Sequence, residues 1–210
     1  DALDGFGQTL AILEHGIVPK RHPCCASTHK CLDAVLDLRR EHGFTADQVD
    51  SVHTVVGSSN KRNLSYDDPQ NDREAKFSMQ YCLALGLVQD HLRIADFAPE
   101  AVSRPELRAL IPRITMDAFP VERERAGETP PDHEVTVRLK DGTVFETTRA
   151  HPRGTIHDPF DAADRAAKYA DCIAGKLDDN DSAALADVLT RFEAVNDLDE
   201  VMRFLRFDLG

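Results

Sequence analysis

The stretch VPKRHPCCASTHKCLDA, residues 18 to 34, concentrates the side chains of this sequence that could do chemistry. It contains two lysines, an arginine, two histidines and three cysteines. These residue types are compatible with three kinds of site. They are a metal centre, a thiol nucleophile activated by a histidine, and a cationic acid-base site that binds an anion.

The metal hypothesis uses side chains that zinc accepts as ligands: His22, Cys24, Cys25, His29 and Cys31. Structural zinc sites usually bring their ligands in two well-separated pairs. Here all the candidates lie in one short stretch, and no second pair follows it. The spacing therefore disfavours zinc, and we expect no metal ligand in this chain.

The thiol hypothesis places Cys25 just before a helix, where the helix dipole lowers the pKa of a thiol, with His29 close enough to act as a base. The sequence identifies no third group that would orient this histidine. A further alternative is that the cysteines are small buried hydrophobes, which is the usual role of unpaired cysteine.

The cationic hypothesis combines Lys20 and His29 with the N-terminus of that helix, where backbone N–H groups favour anions. Acidic residues outnumber Lys and Arg 37 to 25 over the chain, which argues against nucleic acid as a partner. Lys20, Arg21 and Lys30 nevertheless lie together with no acid between them. This local cluster could bind the carboxylates of a small polyanionic substrate and assist proton transfer next to one of them.

The elements that must position these residues follow from periodicity, caps and turns. Leu32, Val35 and Leu36 share one helical face between a Thr28 N-cap and a Gly43 C-cap. Alternation predicts a strand over 48–56, and Asp141-Gly142 predicts a hairpin within 134–148. The remaining predicted elements are a helix over 4–15, a loop over 57–71, and helices over 72–89, 103–111, 162–177, 181–192 and 199–207. This pattern indicates an α+β fold, with a small, mostly antiparallel sheet and helices on one side of it.

Composition limits the class of protein. The chain is 41% hydrophobic and 30% charged, as in ordinary globular proteins, and no apolar run is long enough to span a membrane. Five irregularly spaced cysteines do not form a disulfide framework, so we expect reduced thiols and a cytoplasmic location. The chain begins without Met, in amphipathic material, and we expect it to be a piece of something longer.

Four blocks of this sequence resemble the MmgE/PrpD family in their order and spacing, from about Gly5 to Lys176. They are KRHPCCASTHKCLDA, REAKFSMQYCLALGLV, VTVRLKDGTVFE and HPRGTIHDP. That family includes 2-methylcitrate dehydratase, cis-aconitate decarboxylase and iminodisuccinate epimerase. The blocks E-A-K-F-S-x-Q-Y and K-x-x-P...T-H are fairly specific, whereas the hairpin alone would mean little.

The resemblance implies that residues 1–210 form a C-terminal α+β lid domain, with 178–210 as its helical extension. Family members place a helical domain before this one, and the active site lies between the two. Their reactions need no metal or organic cofactor and begin with proton abstraction next to a carboxylate. The implied partners are a small di- or tricarboxylate, the N-terminal helical domain of the same polypeptide and a second copy in a homodimer, with no nucleic acid or membrane.

Individual roles follow from matching positions. Lys20 matches the lid lysine that binds a substrate carboxylate in the active site, and His29 matches the histidine of the T-H pair. Cys25 stands where decarboxylase-like members have an active-site histidine, and Tyr66 lies where members place a substrate-facing tyrosine. The resemblance thus implies Lys20 and His29 as catalytic, and Lys20, Cys25 and Tyr66 as substrate-binding.

For other residues that match the family blocks, we expect a structural role before a catalytic one. Phe77, Ser78 and Tyr81 fall on a helix whose composition indicates burial, so packing is their expected role. Arg153 and His157 are secondary candidates in a Gly/Pro-rich turn.

The resemblance implies a lyase or isomerase, with a 2-methylcitrate-type dehydratase as the first candidate, because Cys25 in place of histidine argues against decarboxylation. The alternatives are an iminodisuccinate-type epimerase and a non-catalytic binding or dimerisation module with a vestigial site. We expect the 210 residues alone to be inactive, since most acid-base residues of the family lie in the helical domain.

Overall fold

A computed structural model describes residues 16–127 and 131–206, together with residues 5, 7, 8, 10, 12 and 13. The chain forms two compact units, residues 1–161 and residues 162–210. Half of residues 4–15, over which a helix is predicted, lie outside the described residues. No described helix combines the length and the apolar character needed to cross a bilayer.

The first unit contains a four-stranded sheet with helices between and before its strands. In chain order its elements are α1 (His29–His42), β1 (Val49–Val56), α2 (Ser58–Asn63), α3 (Asp72–Ala75), α4 (Met79–Val88), α5 (Pro99–Val102), α6 (Pro105–Leu110), β2 (Ile114–Ala118), α7 (Val121–Arg125), β3 (His133–Leu139) and β4 (Val144–Arg149). Single 3-10 turns occupy Ala26–Thr28, Ala46–Gln48, Ile94–Phe97 and Ile111–Arg113.

The strand order is β2-β1-β3-β4, and the sheet is mixed. β1 pairs antiparallel with β3, and β3 with β4, but β1 and β2 run parallel, with Val52 opposite Ile114. The α+β prediction is confirmed, whereas the sheet is not wholly antiparallel. The sequence-based prediction missed β2 because a parallel partner is reached only through a long crossover, here from α2 to the 3-10 turn Ile111–Arg113.

One face of the sheet carries the core. Val52, Val56, Val135 and Val137 are fully buried or nearly so on this face, and α1 packs against β3 and β4 while α4 packs against β2. The start and end of α1 agree with the sequence pattern, since the helix ends at Gly43 with φ +70°. Thr28, however, does not cap it with its side chain, because Thr28 Oγ1 donates to the carbonyl of Cys25 at 2.9 Å instead.

The helix predicted over 72–89 is in fact two helices, α3 and α4. Ser78 interrupts the helical path: its Oγ accepts a hydrogen bond from the backbone N–H of Tyr81 at 3.1 Å and caps α4. Asn71 caps α3 in the same way, by accepting from the N–H of Glu74 at 3.0 Å. The loop predicted over 57–71 contains the short helix α2, so that prediction was also incomplete.

The second unit is helical and has its own small core. Its elements are α8 (Ala162–Ile173), α9 (Asp179–Thr190), a 3-10 turn (Phe192–Ala194) and α10 (Asp199–Met202). The three helices lie where they were predicted, but α8 and α10 end earlier than the predicted ranges 162–177 and 199–207. Leu185, Val188, Val201 and Phe204 are buried together. The predicted extension 178–210 lies within this unit.

Candidate active site

The lysine loop, residues 19–25, leads into the 3-10 turn that precedes α1. Pro19 and Pro23 prevent a regular helix here, so the loop takes its shape from tertiary contacts. Lys20 is exposed, and within the described residues no carboxylate pairs with its ammonium group. Arg21 and His22, the two residues that follow, are instead directed onto Asp33 in α1.

Asp33 is a fully buried carboxylate that connects three segments. Its Oδ1 accepts from Arg21 at 2.8 Å and lies 3.0 Å from His22 Nε2. Its Oδ2 accepts from the backbone N–H of Arg153 at 2.8 Å, and Arg149 Nε lies 3.9 Å from the same oxygen. Burial alone would raise the pKa of Asp33, but these donors, with His22 the largest contributor, lower it to about 2. Asp33 is therefore ionised over the whole physiological range.

The Gly/Pro-rich segment 149–161 lies against the lysine loop. Gly154, at φ +103°, packs so closely that a Cβ there would lie 2.8 Å from the carbonyl oxygen of Pro19. Arg153 donates to Asp158 at 2.8 Å and to Asp161 at 3.0 Å. The guanidinium of Arg153, a secondary candidate for the site, therefore forms ion pairs within this segment.

Arg149 forms ion pairs at the start of this segment, whereas His157 lies at its surface. The guanidinium of Arg149 bridges Asp37 and Asp158. His157 is exposed and its ring stacks on that of His151, with ring centroids 4.2 Å apart. The structure thus gives His157 an imidazole neighbour at the surface of the segment.

His29 begins α1 but lies beneath the lysine loop, with only 3% of the residue exposed. Its ring meets that of His22 edge to face, with centroids 5.1 Å apart. Nε2 of His29 and Nδ1 of His22 are buried without a hydrogen-bond partner among the described residues. Burial lowers the pKa of His22 although Asp33 opposes this, so His22 is neutral at pH 7.

The cysteines of the stretch have different environments. Cys24 is buried, with its Sγ 3.1 Å from Thr28 Oγ1. Cys82 and then His29 lower the pKa of Cys24 well below its ordinary value, against the effect of burial. Burial raises the pKa of Cys31 to about 12. Cys25 is half-buried, and its backbone N–H donates to the carbonyl of Lys76 at 2.8 Å.

The metal hypothesis has no geometric support in the part of the chain that the structure describes. No group of three or more His, Cys, Asp or Glu side chains there is arranged to hold an ion.

Tyr66 lies in the connection between α2 and α3 and is 38% exposed. Hydrogen bonds hold the residues that follow Tyr66. Gln80 Nε2 donates to Asp67 Oδ1 at 3.0 Å, and Arg108 donates to the carbonyl of Pro69 at 2.8 Å. On the other side, Asn63 Nδ2 donates to Ser27 Oγ at 3.3 Å. α2 and the segment carrying Tyr66 are thus connected to the lysine loop region.

The other residues of the E-A-K-F-S-x-Q-Y block have structural contacts. Tyr81 is fully buried, and its hydroxyl donates to the carbonyl of Asp96 at 2.6 Å. Ser78 is the cap of α4. Phe77 lies at the turn before this helix and is 40% exposed, so its predicted role as a packing residue on a buried helix is wrong.

Sequence reasoning missed Asp33 and Gln80. Asp33 could have been noticed, since it is an acid among the apolar positions Leu32 and Val35 at four residues from His29. A charge on a buried helix face needs a partner. Nothing in the sequence indicates that Gln80 contacts Asp67, because that contact depends on the tertiary fold.

Two comparisons relate most of this chain to known proteins. The MmgE/PrpD C-terminal domain matches residues 22–193. A cis-aconitate decarboxylase from Mus musculus is 23% identical over 198 residues, a match that covers 89% of this chain and 39% of that protein. The chain therefore spans about two fifths of the length of this curated relative. The family has lyases among its members, and on the extent of the match this chain belongs to the MmgE/PrpD family through its C-terminal domain.

Proposed function

We propose that this chain forms the lid side of the active site in a lyase or isomerase that uses no cofactor. Its substrate would be a small di- or tricarboxylate, and dehydration of a 2-methylcitrate-type substrate is the first candidate reaction. The observation that carries this proposal is the exposed Lys20 on a loop whose next two side chains are both directed onto a buried carboxylate.

Neighbouring side chains of the lysine loop have different partners, and this difference supports an anion site at Lys20. Arg21 and His22 satisfy Asp33, while no described carboxylate pairs with Lys20. An ammonium group in this position is available to a carboxylate from outside the chain. The overall acidity of the protein makes such a local cationic group the preferred point of contact for an anionic substrate.

In the proposed reaction Lys20 binds the carboxylate next to the C–H bond that is broken. Its positive charge stabilises the negative charge that develops on this carboxylate as a base removes the proton. The electron pair of the C–H bond then forms the C=C bond, the C–O bond of the neighbouring carbon breaks, and the hydroxide leaves as water after protonation. We propose that the base and the acid come from the N-terminal helical domain of the same polypeptide.

Cys25 is the reason for placing dehydration before decarboxylation. It stands where decarboxylase-like members carry an active-site histidine, and a thiol does not replace an imidazole as a proton carrier at neutral pH without a lowered pKa. An iminodisuccinate-type epimerase, which reprotonates the carbanion instead of expelling water, is the second candidate. A non-catalytic binding or dimerisation module is the third, and the homodimer remains a proposal in each case.

The test is an assay of the full-length polypeptide with 2-methylcitrate, cis-aconitate and iminodisuccinate. We expect turnover of at least one of them and a loss of about 10- to 100-fold in kcat/KM for Lys20→Ala, the effect of removing one charged hydrogen bond. Lys140→Ala, at the exposed hairpin turn, is the matched control and should keep wild-type turnover. Unchanged kcat/KM in Lys20→Ala would refute the role of Lys20, and no turnover of any carboxylate would favour the module.

His29 needs a separate experiment because it is buried beneath the loop. His29→Gln should raise KM if the imidazole only supports the lysine loop. If His29 exchanges a proton with substrate, as the resemblance implies, kcat should fall and its pH profile should lose one limb.

A further inference from the structure

We propose that Asp33 is the positioning residue for Lys20: it binds both residues that follow Lys20 and ties them to segment 149–161. This inference rests on the proposed function, because its kinetic consequence requires that Lys20 bind substrate. Asp33 is fully buried and cannot itself touch a substrate, so it acts through the loop.

Both oxygens of the carboxylate are used, and each holds a different segment. Oδ1 holds Arg21 at 2.8 Å and His22 at 3.0 Å. Oδ2 accepts from the backbone N–H of Arg153 at 2.8 Å. The backbone that carries Lys20 is therefore anchored at the very next residue. Segment 149–161 packs against Pro19, the residue before Lys20, and is anchored to the same carboxylate.

The arrangement requires a carboxylate rather than any polar side chain of the same shape. The groups that form these contacts with Asp33 are all hydrogen-bond donors. They are the guanidinium of Arg21, the imidazole of His22 and the backbone N–H of Arg153. An asparagine has one acceptor oxygen and one NH2 donor. In either orientation its NH2 group would face a group that can only donate, either the N–H of Arg153 or the guanidinium of Arg21. Asp33→Asn therefore releases one of the two segments while keeping the volume of the side chain.

Asp37 is a matched control on the same helix. It lies four residues after Asp33, and its side chain is 42% exposed. It pairs with Arg149 and Arg40 but makes no contact with Arg21 or His22 among the hydrogen bonds and ion pairs of the described residues. Asp37→Asn removes a carboxylate from α1 and weakens its ion pair with Arg149, but it keeps the contacts that Arg21 and His22 make with Asp33.

The kinetic test is a double-mutant cycle in the full-length polypeptide. Misplacing a substrate-binding group by about an ångström costs up to about 100-fold, so we expect Asp33→Asn to lower kcat/KM by about 10- to 100-fold, through both a higher KM and a lower kcat. In a Lys20→Ala background Asp33→Asn should have almost no further effect, because the residue it positions is gone. Wild-type kcat/KM in Asp33→Asn, or losses that multiply fully with those of Lys20→Ala, would overturn the proposal.

Arg21→Ala keeps the test valid if Asp33→Asn does not fold. It removes a half-buried donor and leaves Asp33 with His22 and the amide of Arg153. We expect a smaller loss in kcat/KM that likewise disappears in the Lys20→Ala background. A loss that persists there would contradict the proposal.

Hydrogen exchange separates failure of this inference from failure of the proposed function. In Asp33→Asn or Arg21→Ala, amide exchange in residues 20–24 should be faster than in wild type, and in Asp37→Asn it should be unchanged. Asp33→Asn should also speed exchange at Arg153 if its NH2 group faces that amide. Unchanged exchange in both Asp33→Asn and Arg21→Ala overturns the positioning role, whether or not the enzyme turns over a carboxylate. Faster exchange together with no turnover of any carboxylate supports the anchoring by Asp33 and refutes the proposed function.

Discussion

The backbone N–H of Cys25 donates to the backbone carbonyl of Lys76 at 2.8 Å, which joins the lysine loop to the turn between α3 and α4. Two sequence blocks about fifty residues apart thereby meet at one hydrogen bond. Because the bond uses only backbone atoms, it places the half-buried thiol of Cys25 without involving the thiol itself. The identity of the side chain at this position can therefore change while the loop stays anchored.

This geometry predicts that Cys25→Ala is tolerated by the fold. Cys25 packs half-buried against the core, and removing its sulfur leaves the backbone bond in place, so we expect the free energy of unfolding to fall by only about 1 kcal/mol. Kinetics on the full-length polypeptide should show a higher KM for the carboxylate if the thiol borders the substrate. Chemical denaturation gives the stability change, with Cys172→Ala in the second unit as control. A decrease of several kcal/mol in the free energy of unfolding would show that the thiol, and not only the backbone hydrogen bond, holds the loop in place.

The thiols should differ sharply in their reactivity toward iodoacetamide. Cys25 and Cys172 are accessible in the folded chain, whereas Cys31 and Cys82 are fully buried. Burial also raises the pKa of Cys31 to about 12 and that of Cys82 well above its ordinary value, which keeps both as unreactive thiols. Peptide mass spectrometry after brief alkylation should find label at Cys25 and Cys172, and at Cys31 and Cys82 only after denaturation. Labelling of Cys31 as fast as Cys172 would contradict the packing of α1 on β3.

Stability should fall in acid because of a buried histidine on β3. Burial, with a smaller effect of Lys30, lowers the pKa of His133 to about 4. In the unfolded chain the imidazole binds a proton below about pH 6.5, so between about pH 6.5 and 4 the unfolded state binds more protons than the folded state. The free energy of unfolding should therefore decrease as pH falls through this window, by up to about 3 kcal/mol from this residue.

Urea denaturation at several pH values tests this effect. His133→Gln should flatten the decrease between about pH 6.5 and 4, while His157→Asn at the surface should leave it unchanged. Asp33 acts in a separate window: its pKa of about 2 means that its stabilising contribution is lost as pH falls from about 4 to 2. If His133→Gln had the same pH dependence as the wild type, the assignment to His133 would be wrong.

Local signals account for the parts of the fold that the sequence predicted. Gly43 ends α1, alternation marks β1, and Asp141-Gly142 turns the hairpin between β3 and β4. β2 and the break before α4 were missed for different reasons. The parallel pairing of β2 with β1 joins residues far apart in sequence, and the apolar pattern of 72–89 continues past the cap at Ser78.

The candidate site divides in the same way. The family blocks of the sequence predict Lys20 and Cys25 as site residues, and their roles stay predictions. The buried environment of His29 could not be predicted, because it depends on how the lysine loop folds over α1. The role of Asp33 depends on Arg153, which comes from the far end of the first unit. Residues that act through others are defined by such long-range contacts, and spacing within one block does not show them.

Gln80 provides a final prediction, for the segment that carries Tyr66. The Gln80 side chain is nearly buried. Its Nε2 donates at 3.0 Å to Oδ1 of Asp67, the residue that follows Tyr66. Gln80→Leu should remove this bond, cost about 1 kcal/mol of stability and speed amide exchange in residues 64–70. If Tyr66 faces the substrate, Gln80→Leu and Tyr66→Phe should both raise KM in the full-length polypeptide. Ser65→Ala changes the same segment without touching the Gln80 bond and should leave KM unchanged. A higher KM in Gln80→Leu with no effect of Tyr66→Phe would remove the Tyr66 hydroxyl from the substrate site.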